Sequence, residues 1–382
     1  MFLMKISFSL LWEKTKVFFK KLKKFEFLLV LSALALLVIG VMAVYSATYT
    51  RTTSFYQKQI IFSIVGIILF CVFSSIDYRI YSKYSKLIYI FNVLFLLSVF
   101  FLGSVRYGAQ RWIVVGPINI QPSELAKLFV VLTFSDLLIR NYQDTFRGFK
   151  DLIFTALHII PIFLLVAAQP DLGTGVVILF TYIVLIFMNG IDYKTFFTTG
   201  AIGVACMPLV YFFALRPYQR QRVITFLNPE ADLLGSGWNI IQSKIAVGSG
   251  QMFGKGYLEG TQDKLRFLPE SQTDFIFAVI SEEFGFVGSL TIISLYLVLI
   301  FTILKIGQKT EDRYGQLICY GIASIIFFHT LVNIGMVIGV MPAKGLPLLL
   351  LSYGGSSLLF VFIMLGIVQS VKIYGNKWFL YS

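Results

Sequence analysis

The stretch that decides the fold is FEFLLVLSALALLVIGVMAVYSA, residues 25–47, because it is long and apolar enough to cross a bilayer. A run of about 18 or more apolar residues predicts a membrane-spanning helix. Similar runs recur along the chain, which is 57% hydrophobic and only 13% charged. Soluble globular chains carry about 25% charged residues. The sequence therefore predicts an all-α integral membrane protein.

About ten transmembrane helices are expected, which places both termini on one side of the membrane. The expected spans are 25–47, 55–75, 86–104, 121–139, 152–168, 173–190, 195–214, 275–304, 315–340 and 346–371. A basic arm, residues 1–24, precedes a membrane domain, residues 25–372, and a short tail follows at 373–382. Residues 215–273, between spans 7 and 8, form a long glycine-containing loop, and structured loops of this length are usually functional.

The distribution of basic residues predicts the orientation, because cytoplasmic segments of membrane proteins are enriched in lysine and arginine. With a cytoplasmic N-terminus, the inner segments carry the basic residues Lys5, Lys14, Lys16, Lys20, Lys21, Lys23, Lys24, Arg79, Lys83, Lys86, Arg140, Arg147, Lys150, Lys194, Lys305, Lys309, Arg313, Lys372 and Lys377. The short outer loops carry only Arg51, Lys58, Arg106, Arg111 and Lys344. Both termini and the tail are therefore expected in the cytoplasm, with loop 215–273 outside.

Charge, cysteine and histidine give no sign of other functions. The role of basic residues in setting the membrane orientation explains most of the net charge of +13, so no nucleic-acid partner is expected. The basic arm is expected to lie on the anionic inner leaflet. The three cysteines lie inside apolar runs without CxxC spacing, as small buried hydrophobes do. His158 and His329 are far apart in sequence, which is weak support for a metal site.

Two polar segments precede expected helices on the outer side. In GAQRWIVVGPINIQPSELAKL, residues 108–128, Glu124 and Lys127 lie three apart on one helix face, either as a local ion pair or in a shared polar pocket. In QPDLGTG, residues 169–175, Asp171 either caps the next helix or belongs to irregular backbone lining a cavity.

Two further polar segments lie on the same side. LPESQTDFIFAVISEEFG, residues 268–285, places Asp274 where the loop becomes an apolar span, as a cap or as a reactive acid. Glu282 and Glu283 lie about two turns deeper, and one is expected to be neutral or paired with a lysine. MPAKGLPLLLLSYGGSSLLF, residues 341–360, combines prolines and glycines with hydroxyls such as Ser356, and broken backbone at this depth needs protein or water beside it.

The four segments together predict one outward-facing polar cavity that holds acids and bases. Bases there can bind an anionic headgroup, and an acid can accept a proton. This arrangement fits an enzyme acting on lipid-linked substrates or a transporter, and the residues alone leave both open.

These same segments resemble the SEDS proteins, that is RodA, FtsW and their sporulation relatives. The resemblance covers about residues 26–372 and is closer to the RodA branch than to FtsW. It rests on the motifs GAQRWI, IQPSELAKL, QPDLGT, NIIQSKIAVGSG, FGKG, LPESQTDFIFAVISEEFGF and GLPLLLLSYGGSS. It implies the ten-helix SEDS fold, a place in the bacterial cytoplasmic membrane and an active site on its outer face. Members often have other residues at Gln272, Gln251, Ala343, Lys344 and Leu349.

The resemblance also implies a function: a peptidoglycan glycosyltransferase that polymerises lipid II during cell-wall elongation and so determines cell shape. The partner would be a class B penicillin-binding protein, a transpeptidase, and a divalent cation, Mg²⁺ or Mn²⁺, is a possible cofactor. Asp274 matches the catalytic position of the family, as general base, and the expected substrate-binding residues are Arg111, Glu124, Lys127, Asp171, Lys244 and Ser356.

Two other functions remain in view. A lipid II flippase would use the same cavity, although transporter sites usually lie near the middle of the membrane, whereas these acids cluster at one face. A non-catalytic scaffold of the elongation or division machinery would have no need of a polar cavity.

Overall fold

The computed structural model describes residues 24–49, 54–106, 109–116, 118–142, 148–232, 235–265, 267–342 and 345–375. The helices are α1 (Phe27–Thr48), α2 (Ser54–Ser75), α3 (Arg79–Lys83), α4 (Ser85–Leu102), α5 (Pro122–Asn141), α6 (Phe149–Ala168), α7 (Leu172–Met188), α8 (Tyr193–Leu209), α9 (Pro217–Leu227), α10 (Ser236–Ser249), α11 (Thr261–Lys264), α12 (Ile276–Lys309), α13 (Arg313–Val337) and α14 (Gly355–Tyr374). Most of the predicted basic arm, most of the tail, and Lys344 lie outside the described residues.

The helices confirm an all-α membrane protein. Within the described ranges, eight helices are long and apolar enough to cross a bilayer, namely α1, α2, α4, α6, α8 with its π-helical extension to Phe213, α12, α13 and α14. Helix α7 is apolar but shorter. Helix α5 carries Glu124, Lys127, Asp136 and Arg140 within its 20 residues. The predicted total of ten spans stays a prediction.

Helices α13 and α14 form the centre of the bundle. Helix α13 packs against α12, α7 and α5, whereas α14 packs along α2, and α1 lies on α12. Buried aliphatic side chains from these helices make one continuous core, which includes Leu36, Ile303, Ile322 and Val368. In contrast, α8 contains no fully buried residue among those described, and Phe196 is only partly buried against the core.

A small antiparallel sheet, which the sequence did not predict, connects α4 to α5. Its strands are β1 (Ser104–Arg106), β2 (Ala109–Val115) and β3 (Ile118–Ile120), in the order β1-β2-β3. Ser104 pairs with Trp112 at one edge, and Ile113 pairs with Ile120 at the other. The sheet brings Arg111 and Asn119 to the end of the bundle at which α5 begins.

Helix α12 is broken at Gly285, and the loop at residues 250–260, which we call the spliced loop, forms hydrogen bonds with the backbone at this break. The amides of Phe286 and Val287 donate to the carbonyls of Gln251 and Met252 instead of to the previous helical turn. The carbonyls of Glu282 and Glu283, left without helical partners, accept from the amides of Lys255 and Gly256. These four backbone groups of α12 therefore regain hydrogen bonds at the break, as burial in a membrane protein requires.

Glycine makes this splice possible. Gly285 has a φ of 64°, which belongs to the left-handed region that other residues rarely adopt. A Cβ on Gly250 would lie 1.9 Å from the Ser281 carbonyl oxygen, and one on Gly254 would lie 2.0 Å from that of Glu283. Close approach of the backbone to α12 thus explains the glycines at positions 250 and 254.

The predicted start of the last span needs correction. The last span was expected at 346–371, but α14 begins only at Gly355, and residues 345–354 form an irregular stretch that we call the broken segment. Pro347, together with Gly345 and Gly354, interrupts the helical pattern, although the leucines of the segment have the hydropathy of a membrane span. The long loop predicted at residues 215–273 contains the helices α9, α10 and α11.

Candidate functional site

Asp274 lies in a turn just before α12. Its amide donates to the Glu270 carbonyl at 3.2 Å, and its own carbonyl accepts from the side-chain amide of Asn333 at 2.9 Å. The N-cap of α12 is Phe275, where no side chain caps the helix. The capping interpretation of Asp274 is therefore not supported, and its carboxyl group is half-buried.

The backbone of the broken segment passes directly beside this carboxyl group. A Cβ built on Gly345 would lie 3.3 Å from Asp274 Oδ2. Burial raises the pKa of Asp274 to about 7, the nearby Glu270 carboxylate adds to the rise, and Arg222 opposes it. A carboxyl group with this pKa is half ionised at neutral pH, which suits a general base.

A buried chain of polar contacts begins at Glu124 and Lys127. Lys127 Nζ lies 2.9 Å from Glu124 Oε1 and 2.8 Å from His329 Nε2, and His329 Nδ1 lies 3.0 Å from the Pro347 carbonyl oxygen. All three side chains are buried. Since a carbonyl oxygen only accepts, Nδ1 carries the hydrogen and Nε2 of the neutral ring accepts from Lys127. Both interpretations of the Glu124–Lys127 motif thus hold, because the local pair is also part of a larger polar cluster.

Asp171 caps α7 and also connects it to α5. One carboxylate oxygen accepts from the amide of Thr174, and the other accepts from Ser123 Oγ at 2.7 Å and Gln121 Nε2 at 3.0 Å. The side chain is buried, so its charge is satisfied by these donors. Capping is therefore part of its role, and joining the starts of two helices is the rest.

Arg111 holds the residues just before Asp171. Its Nε donates to the Gln169 carbonyl at 3.0 Å, and one terminal nitrogen donates to the Pro170 carbonyl. The guanidinium thus ties strand β2 to the QPD turn.

Buried side-chain donors hold the broken segment in place. Its carbonyls at Leu346, Pro347, Leu349 and Ser352 accept from, respectively, Asn333, His329, Tyr296 and Gln59. The donors come from α13, α12 and α2. Irregular backbone at membrane depth is stable only when such partners replace the missing helical bonds.

The remaining two expected binding residues, Lys244 and Ser356, make contacts separate from those above. Lys244 on α10 is exposed, and the aliphatic part of its side chain packs against Gly339. A Cβ at position 339 would lie 1.8 Å from Lys244 Cε. Ser356, in the first turn of α14, donates to the Asn119 carbonyl and so joins the strand β3 to that helix.

Glu282 confirms the expectation of an acid paired with a lysine. Its Oε1 lies 2.6 Å from Lys255 Nζ and also accepts from the amide and hydroxyl of Thr261, at 2.9 and 2.8 Å. Glu283 accepts from the hydroxyl of Ser46 and the amide of Leu258. These acids therefore anchor the spliced loop to α12.

The structure thus brings four of the predicted residues into connected groups. Arg111 joins Asp171 through the QPD turn, and Glu124 and Lys127 connect through His329 to the broken segment beside Asp274. Sequence reasoning missed His329 and Asn333, which lie four residues apart on α13 and are both fully buried. Polar residues inside an apolar span were the signal that could have found them.

The fold and the site define a class: a polytopic membrane protein with a polar, partly buried cluster of acids and bases where several spans begin or end. A family model described as "Cell cycle protein", for FtsW, RodA and SpoVE, matches residues 26–377. The chain belongs to this family.

Similar proteins cover nearly the whole chain. It is 39% identical over 349 residues to the peptidoglycan glycosyltransferase MrdB of Escherichia coli K12, covering 91% of this chain and 93% of that protein. It is also 39% identical to stage V sporulation protein E of Bacillus subtilis, covering 92% and 98%. A solved structure described as "Structural coordination of polymerization and crosslinking by a peptidoglycan synthase complex" superposes with a TM-score of 0.80 at 29% identity, covering 92% and 99%.

Proposed function

We propose that this protein is a peptidoglycan glycosyltransferase that polymerises lipid II during cell-wall elongation, with Asp274 as the general base. Family membership and the names of the relatives support the activity. The observation that carries the residue assignment is the half-buried Asp274 carboxyl group, whose pKa is raised to about 7 beside the broken segment. Flippase and scaffold functions would not require a carboxyl group poised to exchange a proton at neutral pH.

In the proposed reaction, Asp274 accepts the proton of an acceptor sugar hydroxyl. The hydroxyl oxygen then bonds to the anomeric carbon of the donor, and the bond from that carbon to the lipid diphosphate breaks. The diphosphate leaves with the bonding electrons and one additional negative charge. Positive charge near the leaving group lowers the energy of this transition state.

The expected binding residues divide by their contacts. Exposed Lys244 and half-buried Arg111 are proposed to face the diphosphate, while Ser356 offers a hydroxyl near the strand β3. The side chains of Glu124, Lys127 and Asp171 are buried, and their hydrogen bonds and ion pair are made with other protein groups. We therefore propose that they support the shape and the electrostatic potential of the pocket rather than contact the substrate.

We also propose a divalent cation as cofactor, held mainly by the substrate rather than by a set of protein ligands. Among the residues that the structure describes, no three histidine, cysteine or acidic side chains gather as a metal site. Mg²⁺ commonly uses one or two carboxylates together with substrate phosphates, so diphosphate oxygens would supply the other ligands. Such an ion would offset charge on the leaving diphosphate. Loss of polymerisation on chelation, restored by Mg²⁺ or Mn²⁺, is the test.

The proposed setting is the bacterial cytoplasmic membrane, with both termini inside and the site on the outer face. The excess of basic residues in the predicted inner segments supports this orientation. A class B penicillin-binding protein is proposed as partner, since one similar structure comes from a complex that combines polymerisation with crosslinking.

The deciding experiment compares Asp274→Asn with wild type. Each protein, purified with its transpeptidase partner, is incubated with lipid II, and glycan polymer is resolved on a gel. Asn keeps shape and hydrogen bonding but cannot act as a base, and general bases contribute about 10²–10⁴-fold in rate. We expect a folded, partner-bound variant that makes no detectable glycan.

Asp192→Asn is the matched control. Asp192 is exposed and bonds to Thr195 at the start of α8, where Asn caps about as well as Asp. The control should polymerise normally. Near-normal polymerisation by Asp274→Asn would show the base assignment to be wrong and make Glu124 or Asp171 the next candidate. Absence of polymer from the wild-type complex would remove the glycosyltransferase proposal itself.

A further inference from the structure

One side chain on α13 joins two backbone segments of the site. Asn333 Nδ2 donates to the Asp274 carbonyl at 2.9 Å and to the Leu346 carbonyl at 2.9 Å. The residue is completely buried. Both hydrogens of its amide are therefore used, one on the turn that carries the acid and one on the broken segment beside it.

The residue one turn earlier extends this connection. His329 is four positions before Asn333, so both side chains lie on one face of α13. It donates to the carbonyl of Pro347, next to Leu346, and accepts from Lys127, which pairs with Glu124. Two sets of hydrogen bonds, joined by the backbone between Leu346 and Pro347, thus connect the Glu124–Lys127 pair to the backbone of Asp274.

The geometry points to Asn333 as a positioning residue for Asp274, acting with His329 to hold the acid, the broken segment and the Glu124–Lys127 pair in one arrangement. This inference rests on the proposed role of Asp274 as general base.

The hydrogen bonding of Asn333 argues against a purely structural role. Its Oδ1 has no hydrogen-bond partner among the described residues, although the atom is buried. Burying a half-satisfied amide costs stability, so an apolar residue would be the better choice for packing alone. What Asn supplies instead is one planar group with two hydrogens directed at two carbonyls.

The test is Asn333→Leu, which has similar size and no donor. The variant is purified with its partner, and kcat and KM for lipid II are measured across pH. Because displacement of a reacting group by about 1 Å can reduce the rate roughly 10²-fold, we expect kcat to fall by about that factor with little change in KM. We also expect the acid limb of the pH profile to move to lower pH, since a displaced carboxyl group is less buried.

Tyr296→Phe is the matched control, because Tyr296 supports the same broken segment from α12, at Leu349, without touching Asp274. It removes one donor and should retain kcat within about threefold, with an unchanged acid limb. Thermal stability of both variants shows that each is folded.

Three outcomes decide the matter. A selective fall in kcat with a displaced acid limb in Asn333→Leu supports the positioning role. Wild-type kcat and pH profile in that variant overturn it, even when Asp274→Asn is inactive. Equal loss of activity in Asn333→Leu and Tyr296→Phe also overturns it, because the contacts would then serve only general stability. An active Asp274→Asn variant would instead remove the base assignment, which makes the two failures distinguishable.

Discussion

Polymerisation is predicted to depend on one ionisation near neutral pH, that of Asp274. Burial, reinforced by the Glu270 carboxylate and opposed by Arg222, raises the pKa of this carboxyl group to about 7. A general base acts only when deprotonated, so kcat/KM should be about one-eleventh of its limit at pH 6 and about ten-elevenths at pH 8. The expected gain is roughly tenfold, whereas an aspartate with an ordinary pKa of about 3.9 would give a flat profile over this range.

Substitution of Glu270 tests the electrostatic part of this explanation. Its carboxylate accepts from Gln272 and Thr273, so Glu270→Gln keeps the size and removes only the charge. Losing a like charge lowers the pKa of Asp274, and the acid limb should move to lower pH, with activity at pH 6 rising relative to pH 8. Glu259→Gln, at another exposed position that does not influence Asp274, should leave the limb unchanged.

The assay is the initial rate of lipid II polymerisation by the partner-bound protein between about pH 5.5 and 8.5. Arg222→Gln should move the limb in the opposite direction, because Arg222 favours the ionised acid. A flat profile between pH 6 and 8 in the wild-type protein, or identical limbs in all the variants, would refute the reasoning.

Further predictions concern topology, assembly and stability. A reporter fused after Lys309 should read cytoplasmic and one inserted near Asp263 should read external; the opposite result would overturn the proposed orientation. The chain should copurify with a single-pass transpeptidase and be weakly active without it, which full activity of the isolated chain would contradict. Lys127→Met should lower the free energy of unfolding by roughly 3–5 kcal/mol, because it leaves Glu124 buried without its cation. Adding Glu124→Gln should recover most of this stability, as measured by thermal unfolding. An equal loss of stability in the single and the double variant would show that the two residues are not coupled. Gly254→Ala should cost roughly 1–3 kcal/mol, because φ is 79° and the new Cβ would meet the Glu283 carbonyl; an unchanged melting temperature would show that the spliced loop yields.

Hydropathy alone placed most helices well. The first run was predicted at 25–47 and forms Phe27–Thr48, and the span after the long loop was predicted to begin at 275 and begins at Ile276. Apolar length is a local property of the sequence, so a window of residues is enough to find it. The pairing of Glu282 was also foreseen, because a buried acid needs a partner, although Lys255 could not be named from the sequence.

The broken segment shows what a local pattern cannot give. Its run of leucines, LPLLLL at 346–351, has the hydropathy of a span, and its conformation depends on donors such as Gln59, which lies 293 positions from Ser352. The break in α12 likewise depends on carbonyls of a loop more than 30 residues earlier, at Gln251 and Met252. Both features depend on hydrogen bonds that backbone groups make with distant parts of the chain, from side chains in the broken segment and from backbone at the break in α12, and no periodicity encodes them.

The four donors to the broken segment also constrain the order in which the protein can be assembled. Gln59, Tyr296 and Asn333 come from helices that are synthesised before residues 345–354, so their donors are already within the membrane when this stretch arrives. Until it docks, its carbonyls have no partner in hydrocarbon, and each unsatisfied group there costs several kcal/mol. Close packing of Gly40 on the Leu350 carbonyl shows that even α1, the first helix of the bundle, must be in place. Asp274 thus acquires the broken segment as its neighbour only late in biosynthesis, and a nascent chain that lacks this segment carries no finished site.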